Sequence, residues 1–590
     1  MISDRNHMPL HINNSNYEAV SFTDICWWRG INQPNQIAYR FLLNGVDDYI
    51  EITYRDLLKR VVSISQLFSK IDNNERAILV YHSGIEYIAA FYACLNAGVT
   101  AVPAYPLLSI ADSTRLGSIY KDCSPKYILT TRDLKSHIND WLQNFDSKAQ
   151  DCMIVVTDTL TDLTDLTDLT DLTDGVMSQK KHSDIALLQY TSGSTNKPKG
   201  VIISHQNLLH NSEIIYKKFK HEDSSEVVSW LPPYHDMGLV GGILQAMYGG
   251  FPSNIMSPLT FLRRPLRWLQ AISHWKATSS GGPNFGFQAC IKHFNPKMLG
   301  DINLSSWKVA FNGAEPIRAN TLRDFFACYS KYGFDCNAFY PCYGLAETTL
   351  LLSGSKIDEK PKIVCLDKNK LQKQHKAIKS TSDCSLEYVS SGTVIDNKIY
   401  IVEPTNFTVL DDGKVGEIWV TGDSVAKGYW KKSRQTKETF YALLPNKNGL
   451  FLRTGDLGFL DKDELYITGR LKELIIINGR NIYPLDIENL VQGISPAFRQ
   501  DCSAAFSVDI ENNENLVVVQ EVKRSKIGML NVQKLKDKVS KMCFKKFNLV
   551  PYKTIFVEQS TIPKTTSGKI MRLATKQHYL DDSLKRLNDD

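Results

Sequence analysis

Residues 191–200, TSGSTNKPKG, bring small hydroxyl side chains, Gly193 and two lysines, Lys197 and Lys199, into one short loop. Such a loop lets backbone N–H groups close on phosphate oxygens while the ammonium groups add positive charge. The Gly-x4-Gly-Lys-[Ser/Thr] spacing of a Walker A loop is absent. A Ser/Gly/Lys loop alone is more often only flexible; this one directly follows an apolar run, IALLQY (185–190). Six more motifs follow in order. WLPPYHDMG (230–238) sets His235 and Asp236 between prolines and a glycine, and FNGAEP (311–316) carries Gly313, Ala314 and Glu315. YPCYGLAET (340–348) offers Tyr343, whose ring can stack on a purine, Gly344 for close approach, and Glu347, which can hold a cation. LRTGDLG (452–458) presents Asp456, a carboxylate suited to accept hydrogen bonds from two ribose hydroxyls. ITGRLKELIIINGRNIYP (467–484) holds Arg470 and Lys472, and PKTTSGKIMR (563–572) places Lys569 after a glycine. A lone His235 or Tyr343 would more often be a core residue; their weight comes from the company.

These motifs need a scaffold that delivers them to one place. AILVY (77–81) reads as a buried strand, IEYIAAFYACLNAG (85–98) as a helix ended by Gly98, and VTAVPAYP (99–106) as the next strand. Further on, KVAFNG (308–313) reads as a strand and TLRDFFACYS (321–330) as a helix. This alternation predicts an α/β domain with a largely parallel sheet, and ligands bind at strand ends in such sheets. Residues 157–175 repeat Thr-Asp-Leu; period three suits neither a helix face nor a strand face, so the stretch reads as a surface linker. The polar, Lys-rich stretch 356–385 has little periodicity and reads as an insertion on the large domain. After Gly469 and Arg470 the character changes. CSAAFSV (502–508), NLVVVQEV (515–522), an amphipathic helix over 532–547 and KTIFVEQ (553–559) predict a small α+β domain. The division is 1–471 and 472–590.

Composition narrows the class. A chain of 590 residues with 43% hydrophobic and 22% charged content can bury more than one core. The net charge is +6, and residues 472–590 carry 19 Lys and Arg against 14 Asp and Glu. That is too mild for a nucleic-acid binder, but it can steer an acidic protein partner. Twelve dispersed cysteines without a Cys-x-x-Cys pair predict a reduced, cytoplasmic protein. No signal peptide and no membrane span are expected: the most apolar region, 77–107, holds His82 and Glu86 and is broken by Gly84, Gly98 and Pro103.

Taken together, the seven motifs resemble those of the adenylate-forming superfamily, which includes acyl-CoA synthetases, luciferase and peptide-synthetase adenylation domains. The likeness runs from about Ser21 to Arg572. WLPPYHDMGLVGG, YGLAETTLLLSG and GRLKELIIINGRNIYPLDIE are similar to the versions found in fatty acyl-AMP ligases, as is an insertion ahead of GEIWVTG (416–422). Ala346 replaces the more common Thr, as it often does in that subgroup. The resemblance implies a large N-terminal adenylate-forming domain of layered α/β subdomains and a small mobile α+β domain hinged at Lys472. It implies ATP and Mg²⁺, with the β- and γ-phosphates held by Thr191, Ser192, Gly193, Ser194, Thr195 and Lys199. Gly313, Ala314, Glu315, Tyr343, Gly344, Leu345 and Ala346 line the nucleotide site in this reading. Glu347 helps hold the metal, Asp456 and Arg470 take the ribose, His235 sits by the carboxylate, and Lys569 bridges carboxylate and α-phosphate. GGPNFGF (281–287) resembles the segment lining the acid pocket, with Pro283, Phe285 and Phe287 as lining residues.

The acceptor implied is the phosphopantetheine thiol of a separate acyl carrier protein. Asp582-Ser583-Leu584 looks like a carrier serine motif, but too few residues follow it for the remaining helices of a carrier. A medium- or long-chain acyl-CoA synthetase is the alternative. An amino-acid adenylation enzyme would place an Asp for the α-amino group in a different context from Asp236. An inactive scaffold homologue would have no need of Glu347, Asp456, Arg470 and Lys569 together.

Overall fold

The computed structural model describes residues 18–68, 75–107, 110–145, 152–162, 184–191, 198–381, 385–396, 398–477, 480–510, 513–547, 549–565 and 568–587. The apolar runs do form a parallel sheet. Met153–Val156, Tyr127–Thr130, Arg76–Val80, Thr100–Ala104 and Ile185–Thr191 lie side by side in parallel, and Lys199–Ser204 closes the edge antiparallel. Thr100–Ala104 is buried along its whole length, as expected of a strand covered on both faces. The helix Ile85–Ala97 packs on it and stops at Gly98.

A second sheet of thirteen strands changes character halfway. In one half, Phe339–Gly344, Val309–Asn312, Ser279–Gly282, Val227–Ser229, Ser253–Met256 and Ile37–Leu42 are parallel neighbours, and Tyr49–Thr53 closes that edge antiparallel. In the other, Leu351–Gly354, Thr393–Val394, Glu464–Arg470, Leu452–Asp461, Gly416–Thr421 and Lys398–Val402 pair antiparallel. The change falls at Phe339–Gly344, which pairs antiparallel with Leu351–Gly354.

Beyond the short turn Leu471–Glu473 lies a separate three-stranded sheet. Phe498–Ile510 and Asn513–Val522 are antiparallel, and Lys553–Val557 joins in parallel. Each of its faces has an apolar core, one around Phe498, Val518 and Val539, the other around Phe506, Val519 and Ile562. Leu584 is buried in the second of these, so the Asp582-Ser583-Leu584 string is part of this domain's packing. No helix among the described residues is long and apolar enough to cross a membrane.

Two stretches carry more structure than their sequence reading described. The insertion is folded: strands Ile363–Asp367 and Ser385–Val389 pair antiparallel, with helix Lys368–Gln374 after the first. Leu366, Leu371 and Tyr388 share a buried cluster with Phe459, Tyr466 and Tyr483, and that long-range packing supplies the order that local periodicity did not signal. The start of the Thr-Asp-Leu stretch is not a bare linker either. Thr157 is buried, its hydroxyl bonded to Tyr81 Oη, and Arg60 binds the carbonyls of Thr157 and Leu160 and the Asp162 carboxylate. The remainder of that stretch, 163–175, lies outside the described residues.

Candidate active site

Four adjacent parallel strands end on the same side, and each releases one motif there. Val227–Ser229 leads to Trp230–His235 through the two prolines, Ser279–Gly282 to Pro283, Val309–Asn312 to Gly313, and Phe339–Gly344 carries Tyr343 at its own end. Ligand sites form at the carboxyl ends of strands because the diverging loops leave a crevice there. The crevice is a cleft of about 2340 Å³ whose opposite wall is the small domain, and His235, Tyr343, Glu347, Asp456, Arg470 and Lys569 all line it.

Close backbone approach fixes two of the motif glycines. A Cβ on Gly238 would fall 2.0 Å from the Pro232 carbonyl oxygen, and one on Gly344 would fall 1.7 Å from that of Leu350. After Asp236, whose carboxylate caps the Met237 N–H at 2.8 Å, the chain runs as a π-helix, Met237–Leu244. Such wide turns concentrate at functional sites. Two non-glycine residues here hold positive φ: Ala314 at 65° and the β-branched Thr349 at 68°. Strain of this kind costs about 1–3 kcal/mol each and persists only where surroundings enforce it. Thr349 is enforced by its hydroxyl bond to the Ser424 carbonyl, which shapes the turn carrying Glu347.

The polar groups interlock. Asp456 accepts from Tyr343 Oη at 2.7 Å on one oxygen and from Arg470 Nε at 2.8 Å on the other. Burial and the Asp456 charge hold the Tyr343 phenol well above its usual range, and the Asp456 charge raises Arg470. Glu347 accepts from Tyr429 Oη at 2.8 Å, and Lys199 Nζ lies 4.6 Å from the centre of the Tyr429 ring. Burial, then the neighbouring charge of Lys472, lower Lys199; anionic phosphates placed there would relieve that repulsion. His235 Nδ1 lies 2.5 Å from Asp236 Oδ1. Burial works against ionised Asp236, but His235, the Met237 N–H and Lys569 outweigh it and lower its pKa. Glu315 accepts from the Phe285 N–H at 2.6 Å, and burial, then Asp501, push its pKa up to about 7.

Lys569 comes from the small domain. Its loop is closed by the Lys569 N–H to Thr565 Oγ1 bond, 3.0 Å, and by Gly568, which lies against the Phe285 ring. Burial and then Arg470 lower its pKa, while Asp236, Asp456 and Glu315 act the other way. A cation disfavoured by burial gains by pairing with incoming anions.

Ser192, Gly193, Ser194, Thr195 and Lys197 lie outside the described residues; Thr191 and Lys199 end the flanking paired strands. Gly313, Ala314, Glu315, Gly344, Leu345, Ala346, Pro283 and Phe285 line the cleft. Phe287 does not. It is 0% exposed and packs on Trp268, Trp307, Phe325 and Phe339 on the core side of its helix. The apolar wall is built instead by Trp230, Leu231, Met237, Leu262 and Phe285. Trp230 stacks on Phe261 at 3.8 Å and meets Phe285 edge-on at 5.6 Å. Of the wall, the sequence reading named only Phe285 as lining the acid pocket; Trp230, Leu231 and Met237 sit in a motif read for His235, and Tyr429, in AKGYWKK, lies in none of the seven motifs.

Mg²⁺ prefers one or two carboxylates plus phosphate oxygens and water. Glu347 fits that pattern. No cluster of three His, Cys, Asp or Glu able to hold a metal by itself occurs among the described residues.

The chain matches known proteins along nearly its whole length. Residues 26–430 match the AMP-binding enzyme family, and residues 472–589 match the Disco-interacting protein 2-like AMP domain. A medium-chain-fatty-acid–[acyl-carrier-protein] ligase of Moorena producens is 38% identical over 96% of both chains. A long-chain-fatty-acid–AMP ligase of Mycobacterium tuberculosis is 34% identical over 95% of this chain and 97% of its own. Among solved structures, a Legionella pneumophila fatty acyl-adenylate ligase, crystallised with acyl adenylate and pyrophosphate, is 36% identical. It superposes with a TM-score of 0.73 over 97% of both chains.

Proposed function

We propose, for a chain that belongs to the AMP-binding enzymes and within them to the fatty acyl-AMP ligases, a two-step reaction run in the cleft between its domains. A fatty acid is adenylated with ATP, and the acyl group then passes to an acyl carrier protein. In the first step a carboxylate oxygen bonds to the α-phosphorus, the bond from that phosphorus to the bridging oxygen breaks, and pyrophosphate leaves. In the second the carrier's phosphopantetheine thiol gives its proton to solvent and bonds to the acyl carbon, the bond from that carbon to the adenylate oxygen breaks, and AMP leaves.

The observation that carries this reading is the convergence of Lys569 from the small domain with His235, Tyr343, Glu347 and Asp456 from the large one, beside an aromatic wall. The fatty carboxylate, with a pKa near 4.3, is already ionised and needs no general base. The difficulty is charge, because two anions must meet and a third must depart. Positioning and electrostatics therefore supply the catalysis. Lys569 bridges the carboxylate and the α-phosphate. Asp456 and Arg470 hold the ribose, and Tyr343 covers the adenine. Lys199 and the loop 191–200 take the outer phosphates, and Glu347 would hold Mg²⁺, which would supply positive charge against the phosphates. His235 orients the carboxylate, and the Trp230 wall takes the chain. The turn at Lys472 is the hinge between 1–471 and 472–590, allowing the small domain to swing after adenylation.

The folded insertion selects the acceptor in this account. Lys368 Nζ sits 4.0 Å from the centre of the Phe547 ring, Asn481 reaches the His375 ring at 3.2 Å, and Tyr388 shares a cluster with Tyr483. These contacts tie it to the small domain and oppose the swing that coenzyme A would use. Ile363 and Val389 are paired neighbours, so their backbones lie about 5 Å apart and a short Gly-Ser link can replace 364–388. With ATP, Mg²⁺, dodecanoate and coenzyme A, the parent should accumulate acyl-AMP while the shortened chain should make acyl-CoA. Mass spectrometry separates the two. Acyl-AMP alone from an active shortened chain, or rapid acyl-CoA from the parent, would remove the insertion from this role.

A further inference from the structure

We propose that the ion pair between Arg318 and Asp501 is a positioning latch that holds the small domain in the orientation seating Lys569 over the reacting carboxylate. The proposal rests on the adenylation reading above and adds two residues that none of the motif assignments includes.

Arg318 Nη2 lies 2.6 Å from Asp501 Oδ1, with side chains 20% and 24% exposed. Among the described residues it is the one ion pair joining the two sides of the hinge turn Leu471–Glu473. Both partners are aimed by their surroundings. Asp501 lies within a register shift of the long strand Phe498–Ile510, with φ at 54° and its N–H donating to Gln492 Oε1 at 2.7 Å. Arg318 donates its N–H to Asn284 Oδ1 at 3.2 Å. Asn284 opens the helix Asn284–Lys292, on which Phe285 meets Gly568, the neighbour of Lys569.

The small domain thus touches the acid-pocket wall at two points. The contact of Gly568 with Phe285 is apolar and lets surfaces slide, because such contacts have no preferred direction. The Arg318–Asp501 pair is directional, so it fixes the rotation that the apolar contact leaves free. Both groups keep access to water and can rehydrate when the domain swings, as a reversible latch requires.

The test is a double-mutant cycle with Arg318→Gln, Asp501→Asn and the pair together. Asn keeps the size of Asp and its tolerance of a left-handed backbone. With ATP, Mg²⁺ and dodecanoate, each single change should lower kcat for acyl-AMP formation about tenfold, leaving KM for both substrates within about twofold. The double variant should be no slower than either single one. Trypsin, without substrates, should cut at the hinge turn severalfold faster in all three. Rates equal to the parent, losses that multiply in the double variant, losses confined to KM, or unchanged cleavage beside a lowered kcat would each overturn the latch. A parent chain that makes no acyl-AMP would instead sink the adenylation reading itself.

Discussion

Replacing Lys569 by alanine should slow acyl-adenylate formation by about 10²–10³-fold, the loss typical of removing one donor aimed at transition-state charge. The side chain is brought to the cleft by a loop resting on Phe285, and Asp236, Asp456 and Glu315, which line the same cleft, favour its charge. Burial and Arg470 disfavour its charge in the free enzyme, Asp236, Asp456 and Glu315 offset that only in part, and the compensation is completed when carboxylate and α-phosphate arrive together. Its interaction is therefore strongest in the transition state, so the loss should fall on kcat rather than on substrate binding. ATP should still bind, because Tyr343, Asp456 and Arg470 belong to the other domain and bond to one another without Lys569. Rapid-quench assays of acyl-AMP beside calorimetric titration with ATP separate the two effects. Equal rates in variant and parent, or a matching loss of ATP affinity, would take Lys569 out of its place.

Asp456→Ala should weaken ATP binding by about 30- to 100-fold, or about 2–3 kcal/mol. Hydrogen bonds to a charged acceptor are worth about 1.5–3 kcal/mol each, and the estimate is held low because Arg470 is 45% exposed. The carboxylate is nearly buried and accepts from Tyr343 Oη and Arg470 Nε. Its loss removes the acceptor for the ribose and at the same time frees the ring meant to cover the adenine. Direct titration with ATP measures the effect. Unchanged affinity would mean that the nucleotide lies elsewhere in the cleft.

Much of this was legible because local chemistry and global fold agree. The runs at 77–81 and 185–190 are apolar enough to be read as covered strands, and the structure places them in the six-stranded sheet. The change to a small α+β domain past Arg470 was visible as a change in pattern. The motifs were legible because each joins a glycine or proline to a polar group, and those at 191–200, 230–238, 311–316 and 340–348 do so at a strand end. What escaped depends on distant partners. Nothing near Lys368 announces that Phe547 will cover it, and nothing near Asp501 announces Arg318. Phe285 and Phe287 are two residues apart in one motif. A helix turns about 200° over that interval, so one faces the cleft and the other the core. The order of the insertion comes from Tyr388, Leu366 and Leu371 packing on the antiparallel half of the large sheet, a contact that periodicity does not encode.

The central claim is that a fatty carboxylate attacks the α-phosphate of ATP here, and exchange of labelled pyrophosphate into ATP tests it most directly. Exchange requires the acyl-adenylate to form and revert, but needs no acceptor. The account predicts exchange that depends on Mg²⁺ and on an added fatty acid, with no exchange when amino acids replace it. Fatty-acid-independent exchange, or none at all from folded protein that binds ATP, would contradict it.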